Sequence, residues 1–258
     1  MATFSGLTIS GGVTLTPAGG SPPPPPAYGS VALNGTNQYL TVPKDPAFDF
    51  GTGDFTLETW INLNSASQPA YAGIYVYRGP SYQGTALLVD FGADGASIRV
   101  TIQGLSISFG AHGQSANTWW HLAVVRTSGS VLVFINGVQL GSAASMTGTI
   151  AEEPDYLVHL GTNPAAGGTT YIMGGKLTNV RAVKGVAVYT GNFSHPTTNL
   201  AVTQSANTNG NPSAAISGTQ TSLLLDMTTS GTLLTDGSTY AFTVTNNNGA
   251  TWSSATPY

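Results

Sequence analysis

The residues able to do acid–base or nucleophilic chemistry are few. The 258-residue chain holds three glutamates, four histidines and no cysteine. A retaining glycosidase needs two carboxyl groups about 5–5.5 Å apart, and a strand presents such a pair on one face when the two alternate along it. Glu58, in "TLETW", has no second carboxylate two or four residues downstream, and Glu152 and Glu153 are adjacent in "AEEPD", so on a strand they face opposite ways. One strand offers no retaining pair; an inverting pair gathered from distant strands stays open. His112, His121, His159 and His195 lie 9 to 38 residues apart, without the HxH or HExxH spacing of a zinc site. No GxSxG elbow and no GxxxxGK[ST] phosphate loop occurs. The sequence therefore predicts a protein that is not an enzyme, with no catalytic residue, no metal site and no cofactor.

Recognition chemistry is better represented. "PAYAGIYVYRGPSYQG" gathers Tyr71, Tyr75, Tyr77, Arg78 and Tyr82. Tyrosine rings stack on sugar faces while the phenol reaches hydroxyls, so this is the candidate contact for a glycan or a partner protein. Tyr71, Tyr75 and Tyr77 also share strand parity, and packing into a core or a subunit contact is the competing expectation.

The elements that must position these groups are strands. "SVALNGTNQYLTV" predicts two strands about an Asn34-Gly35 hairpin turn. "DFTLETWINLN" sets Phe55, Leu57, Thr59, Ile61 and Leu63 against Thr56, Glu58, Trp60 and Asn62. "TALLVDFG", "SIRVTIQG" and "LSISFG" follow. In "WWHLAVVR", Trp120, Leu122 and Val124 oppose Trp119, His121, Ala123 and Val125; "TSGS" and Asn136-Gly137 then turn the chain through "VLVFI" and "VQLG" into a three-strand meander. "GGKLTNVRAVKGVAVYTGNF" predicts two more strands, and "TSLLLDM" and "YAFTVTN" two again. Trp60 and Trp120 are candidate core residues whose indole N–H groups need partners, His121 a satisfied surface or core histidine, and Arg181 a pin for a strand end or loop through backbone carbonyls. Many short strands with Gly-rich turns predict an all-β fold, a two-sheet antiparallel β-sandwich of jelly-roll type.

Residues 1–27 stand apart from a domain at 28–258. Leu7, Ile9, Val13 and Leu15 share one parity, and Ser21 leads into the polyproline stretch Pro22 to Pro26. A strand on a stiff spacer is an attachment device, so Phe4, Leu7, Ile9, Val13, Leu15, Pro22 and Pro26 are the candidate anchoring residues. Thr203 to Gln220 is the longest structureless stretch of the body; about forty residues after it are too few for a separate core. Only 7% of residues are charged and the net charge is -4, against about 25% charged in an ordinary domain. There is no basic run, which excludes nucleic acid as a partner. No signal peptide or membrane span is legible, so membrane insertion is not expected.

"FTLETWINL", "WWHLAVVR…VLVFINGVQLG" and the run from Gly175 to Pro196, "GKLTNVRAVKGVAVYTGNFSHP", together resemble the laminin-G-like, concanavalin A-like jelly-roll superfamily. The long run, Thr221-Ser222-Leu223-Leu224 and the final Pro257-Tyr258 pair are similar to a subgroup frequent in phage and cyanophage structural proteins. The resemblance spans Tyr28 to Tyr258. It implies about a dozen strands in two sheets, used for glycan or protein contact, usually without catalysis. Laminin-G-like domains often hold one calcium ion, and "DFGADG" or "DPAFDFGTGD" offers oxygens, though Asp and Gly clusters are also ordinary turn chemistry. The expectation is a virion structural protein, first a capsid decoration or cement protein docked through its arm, localised to the virion. A major capsid protein or tail component is the partner, in a symmetric homo-oligomeric assembly. The alternatives are a tail fibre, tailspike or other appendage reading host surface glycans, and a cellular lectin-like module.

Overall fold

Alternating apolar and polar residues build strands across the whole body. The computed structural model describes residues 28–79, 85–151, 155–164, 170–208 and 212–258. The arm with Phe4, Leu7, Ile9, Val13, Leu15, Pro22 and Pro26 lies outside them, as do Tyr82, Glu152 and Glu153. The strands are β1 (Ser30–Asn34), β2 (Tyr39–Pro43), β3 (Phe55–Leu63), β4 (Gly73–Arg78), β5 (Thr85–Phe91), β6 (Ser97–Ile102), β7 (Leu105–Ala111), β8 (Trp119–Thr127), β9 (Ser130–Ile135), β10 (Val138–Ser145), β11 (Leu157–Leu160), β12 (Thr162–Pro164), β13 (Thr170–Ile172), β14 (Gly174–Lys184), β15 (Thr221–Leu225), β16 (Thr245–Asn247) and β17 (Thr251–Ser253). The first sheet runs β10-β9-β8-β3-β14-β1-β17, with β15 also paired to β14; the second runs β16-β2-β11-β4-β5-β6-β7; β12 and β13 form a separate ribbon. The two sheets stack as the expected antiparallel sandwich.

Parity decides what lies between the sheets. Phe55, Leu57, Ile61 and Leu63 of β3 and Trp120, Leu122 and Val124 of β8 share one core with Tyr75, Tyr77, Leu87, Val89, Phe91, Ile98 and Val100 of the second sheet. Each such apolar side chain stabilises the fold by roughly 1.5–3 kcal/mol through burial. Trp120 stacks flat on His112, ring centres 5.1 Å apart. At the end of β8, Arg126 donates to the carbonyls of Gly53 (2.7 Å), Gly51 (2.7 Å), Gly148 (2.9 Å) and Phe50 (3.4 Å). Arg126 thus pins this loop through backbone carbonyls, and Arg181, expected in such a role, pins the strap through the Ala201 carbonyl.

Two expectations are corrected. β1 and β2 exist, but β1 pairs with β14 and β17 while β2 pairs with β11 and β16, so Asn34-Gly35 opens a crossover between sheets and not a hairpin. The Asn34 side chain accepts from the N–H groups of Thr36, Asn37 and Gln38, wrapping a turn too wide for a two-residue loop. The second correction concerns "VAVYTGNF". After β14 the described residues contain no further strand until β15. Val188, Tyr189, Phe193 and Ile216 instead lie as a strap over the outer face of the first sheet, on Ala123, Val125, Leu132, Phe134 and Val183. All nine residues of β3 are buried in consequence. The predicted Asn136-Gly137 turn is present, with φ of 50° and 79°, and a Cβ on Gly137 would stand 1.8 Å from the Phe193 carbonyl oxygen of the strap. Glycine is needed there both for its positive φ and for the close approach.

Candidate functional site

In a chain with few charges, the outer face of the second sheet collects several on neighbouring strands. Asp90 on β5 and Arg99 on β6 face each other directly across the hairpin. Arg99 grips Asp90 with two parallel hydrogen bonds, the Nε–H to Oδ1 bond being 2.8 Å. Asn163 of β12 donates to Asp90 Oδ2 (3.1 Å) and accepts from Arg78 Nη1 (3.0 Å). Asn163 reaches this far because β12 crosses β4 closely at Gly73, where a Cβ would stand 2.2 Å from the Thr162 carbonyl oxygen. The Asn163 amide also donates to the Tyr71 carbonyl (3.3 Å). The Arg99 guanidinium lies 4.5 Å from the Tyr71 ring centre, and Tyr171 of β13 meets Tyr71 edge-on at 5.8 Å.

The result is an aromatic-rimmed patch whose centre is buried and whose rim is open. Asp90 is fully buried while the Arg99 side chain is 22% exposed, and both Tyr71 and Tyr171 are half-buried. Burial pushes the Asp90 carboxyl up to about 6, against the opposing pull of Arg99, Asn163 and Arg78. Arg78 itself is 2% exposed and forms part of the floor.

Of the candidate contact residues, Tyr71 and Arg78 belong to this patch. Tyr75 and Tyr77 do not. They are 4% and 1% exposed and face the inner core, where Tyr77 packs on Phe48 and Tyr156. Their parity with Tyr71 breaks because Tyr71 precedes β4 with φ 63°, and a register shift separates Gly73 from Tyr75. Asp90, Arg99, Asn163 and Tyr171 complete the patch and were not among the expected contact residues. One signal for them is legible: Asp90 and Arg99 are symmetric about the "ADG" turn, so opposite charges fall directly opposite one another.

A second polar cluster lies beneath the strap. Glu58 Oε1 accepts from Arg181 Nε (2.9 Å) and from Nη2, while Oε2 accepts from His121 Nε2 (3.2 Å) and the Tyr189 hydroxyl (3.1 Å). Burial alone would raise the Glu58 carboxyl, but Arg181 and His121 more than offset it and hold it at about 2. Burial lowers His121, which is therefore the neutral donor. Arg181 also donates to the Ala201 carbonyl and the Gln204 side chain. Glu58, His121 and Arg181 are 2%, 0% and 1% exposed, so this carboxylate is spent on holding the strap. Asp54, four residues before Glu58, spends its carboxylate on the Ser128 N–H (2.8 Å). Among the described residues, no three His, Asp or Glu side chains gather as a metal site.

The two stacked antiparallel sheets make the chain a β-sandwich. The chain belongs to the concanavalin A-like lectin/glucanases superfamily, whose laminin-G-type family model matches residues 34–187. A candidate carbohydrate binding protein of Bacteroides ovatus is similar in structure, with a TM-score of 0.63 at 14% identity, over 88% of this chain and 59% of that one. This chain therefore spans just under three fifths of that protein's length. Domain 4 of an extracellular arabinanase from Geobacillus stearothermophilus, in complex with arabinotriose, has a TM-score of 0.43 at 15% identity, over 60% of this chain and 70% of that one. The sialidase CBM40 of Ruminococcus gnavus, bound to α2,3-sialyllactose, has a TM-score of 0.44 at 10% identity, over 57% and 85%. At 14% identity the likeness to the Bacteroides ovatus protein is one of fold. No curated protein matches the sequence.

Proposed function

We propose that this protein is a non-enzymatic, lectin-like recognition module that binds glycans on the outer face of its second sheet. The observation that carries the reading is the patch in which Tyr71 and Tyr171 rim the Asp90–Arg99 pair. Tyrosine faces suit sugar rings, and guanidinium groups suit carboxylates or sulfates. The candidate carbohydrate binding protein of Bacteroides ovatus, similar in fold, is in keeping with this. The test is an array of sialylated, sulfated and neutral glycans with the native chain, Tyr71→Ala and Tyr171→Ala. Glycan binding weakened about tenfold in each variant, with unchanged thermal unfolding, supports the site. Equal binding by native and variant proteins would sink it.

We further propose that the module serves on a virion, attached by residues 1–27, with the sandwich facing outward. The run from Gly175 to Pro196, similar to phage structural proteins, supports this, as does the strand-plus-polyproline pattern of the arm. A capsid decoration role comes first and a tail appendage second. Removing Met1 to Pro26 should leave a folded sandwich that no longer joins the particle. Immunogold labelling of particles separates head from tail, and particle binding by the truncated protein would refute the anchoring role.

A further inference from the structure

Two Asn-Gly turns meet at one end of the sandwich. The chain crosses from the first sheet to the second between β1 and β2 through Asn34-Gly35, and returns between β16 and β17 through Asn248-Gly249. The crossovers lie side by side, because β1 pairs with β17 and β2 with β16. Side chains clasp one to the other. Asn248 Nδ2 donates to the Asn37 carbonyl (2.7 Å), and Gln38 Nε2 donates to the carbonyls of Gly249 (2.8 Å) and Asn248 (3.3 Å).

An asparagine followed by glycine can react with its own backbone, since no Cβ shields the next nitrogen. That N–H gives its proton to hydroxide, and the nitrogen attacks the asparagine Cγ. The Cγ–Nδ2 bond then breaks, a water returns the proton to the departing ammonia, and a succinimide ring closes. Water opens the ring at the side-chain carbonyl to give aspartate, or at the main-chain carbonyl to give isoaspartate. For this the side chain must turn onto the next nitrogen, and the glycine needs room to move. The fold grants these unequally. Asn136 Oδ1 accepts from the His121 N–H (2.8 Å), and Gly137 is buried under the strap, where a Cβ would stand 1.8 Å from the Phe193 carbonyl oxygen. Asn34 is exposed, but its Oδ1 accepts from the N–H groups of Thr36, Asn37 and Gln38, and its Nδ2 donates to Asn37 Oδ1 (2.9 Å). A Cβ on Gly35 would stand 3.1 Å from the Gly174 Cα. Asn248 and Gly249 are both exposed. The described hydrogen bond of the Asn248 side chain is its donation to the Asn37 carbonyl, and a Cβ on Gly249 would meet nothing within 4 Å. Asn209-Gly210 lies outside the described residues.

We infer that Asn248 is a spontaneous modification site, converting to aspartate and isoaspartate through a succinimide with Gly249. Either product replaces the Nδ2 donor by a carboxylate oxygen, which meets the Asn37 carbonyl as acceptor against acceptor. Isoaspartate also adds a methylene to the backbone of the turn that receives Gln38. The modification thus unfastens the clasp between the two crossovers. The experiment incubates the full chain in mildly alkaline buffer, folded and in urea, and follows the peptides holding Asn34, Asn136 and Asn248 by mass spectrometry. Isoaspartyl methyltransferase labelling marks the isoaspartate. In the folded chain Asn248 should convert at least about tenfold faster than Asn34 or Asn136, and in urea the three rates should converge. Conversion of Asn248 no faster than the other two overturns the inference. So does a ranking that persists in urea, since it would then belong to the neighbouring sequence and not to the fold. Asn248→Asp, which carries the charge of the product, should melt below the native chain; an equal melting temperature would overturn the unfastening.

Discussion

Replacing Glu58 by Gln tests whether the buried Glu58 cluster is architecture. The substitution keeps volume and removes the charge. The carboxylate now accepts from Arg181 on one oxygen and from His121 and Tyr189 on the other. A carboxamide offers one oxygen and one N–H₂, so whichever way it points, its donors meet other donors. The Arg181 guanidinium, 1% exposed, then sits buried without its counter-ion. Breaking a buried pair in this way costs about 3–5 kcal/mol. The protonation chemistry agrees: a fall of the Glu58 carboxyl from 4.5 to about 2 corresponds to about 3 kcal/mol at neutral pH. The sign follows from linkage. A carboxyl depressed in the folded state contributes fully above its unfolded value of 4.5, and that contribution is lost as pH falls from 4.5 toward 2. The assay is urea unfolding at pH 7 followed by tryptophan fluorescence, on Glu58→Gln, Arg181→Met and the double variant. The double variant should lose clearly less than the sum of the singles, because charge and counter-charge leave together. A loss under about 1 kcal/mol for Glu58→Gln, or strict additivity, would refute the structural role.

Arg126→Met removes the donor from the carbonyls of Gly53 and Gly148, while those of Phe50 and Gly51 keep the N–H groups of Gly53 and Ile150, and should cost about 3 kcal/mol. Arg126→Lys should recover little of it, since one ammonium cannot span that fork; denaturant titration of both variants checks this. Gly137→Ala forces a Cβ into the Phe193 carbonyl, so the strap lifts and amide exchange at Phe193, whose N–H donates to the Gly137 carbonyl, should speed up while β5 and β6 stay protected. Burial pulls the His159 imidazole down to about 4, so its neutral form contributes stability above pH 6.5 that is lost as pH falls toward 4, at up to about 1.4 kcal/mol per pH unit. His159→Leu should remove that slope, read as the difference from the native chain in melting temperatures at pH 7 and pH 4.5.

The strands of the sandwich were legible because alternation is a local signal. The split of β3 and β8 into two faces follows from their sequences, as does the β8-β9-β10 meander with its Asn136-Gly137 turn. The Asn34-Gly35 turn was misread because hairpin chemistry is also local. It reports that the chain reverses, while the sheet each strand joins is decided by β14 and β11, more than a hundred residues away. The strap was misread as strand for a related reason. Val188, Tyr189 and Phe193 carry an apolar pattern with strand-like residues, but β14, which a returning hairpin strand would join, is already paired with β3 on one side and with β1 and β15 on the other, and the pattern is used to cover a sheet face.

The sequence by itself determined the fold class, the faces of the long strands and the scarcity of residues able to do acid–base chemistry. These depend on composition and on side-chain direction along one strand, which neighbouring residues settle. Only the tertiary structure decided that Glu58 is buried against Arg181 and His121, that Tyr75 and Tyr77 face the core, and that Tyr71, Arg78, Asp90, Arg99, Asn163 and Tyr171 converge on one outer face. Those residues come from separate elements across some hundred positions of chain. Their proximity is fixed by sheet order and register, which arise from packing the whole core and not from any one segment's pattern.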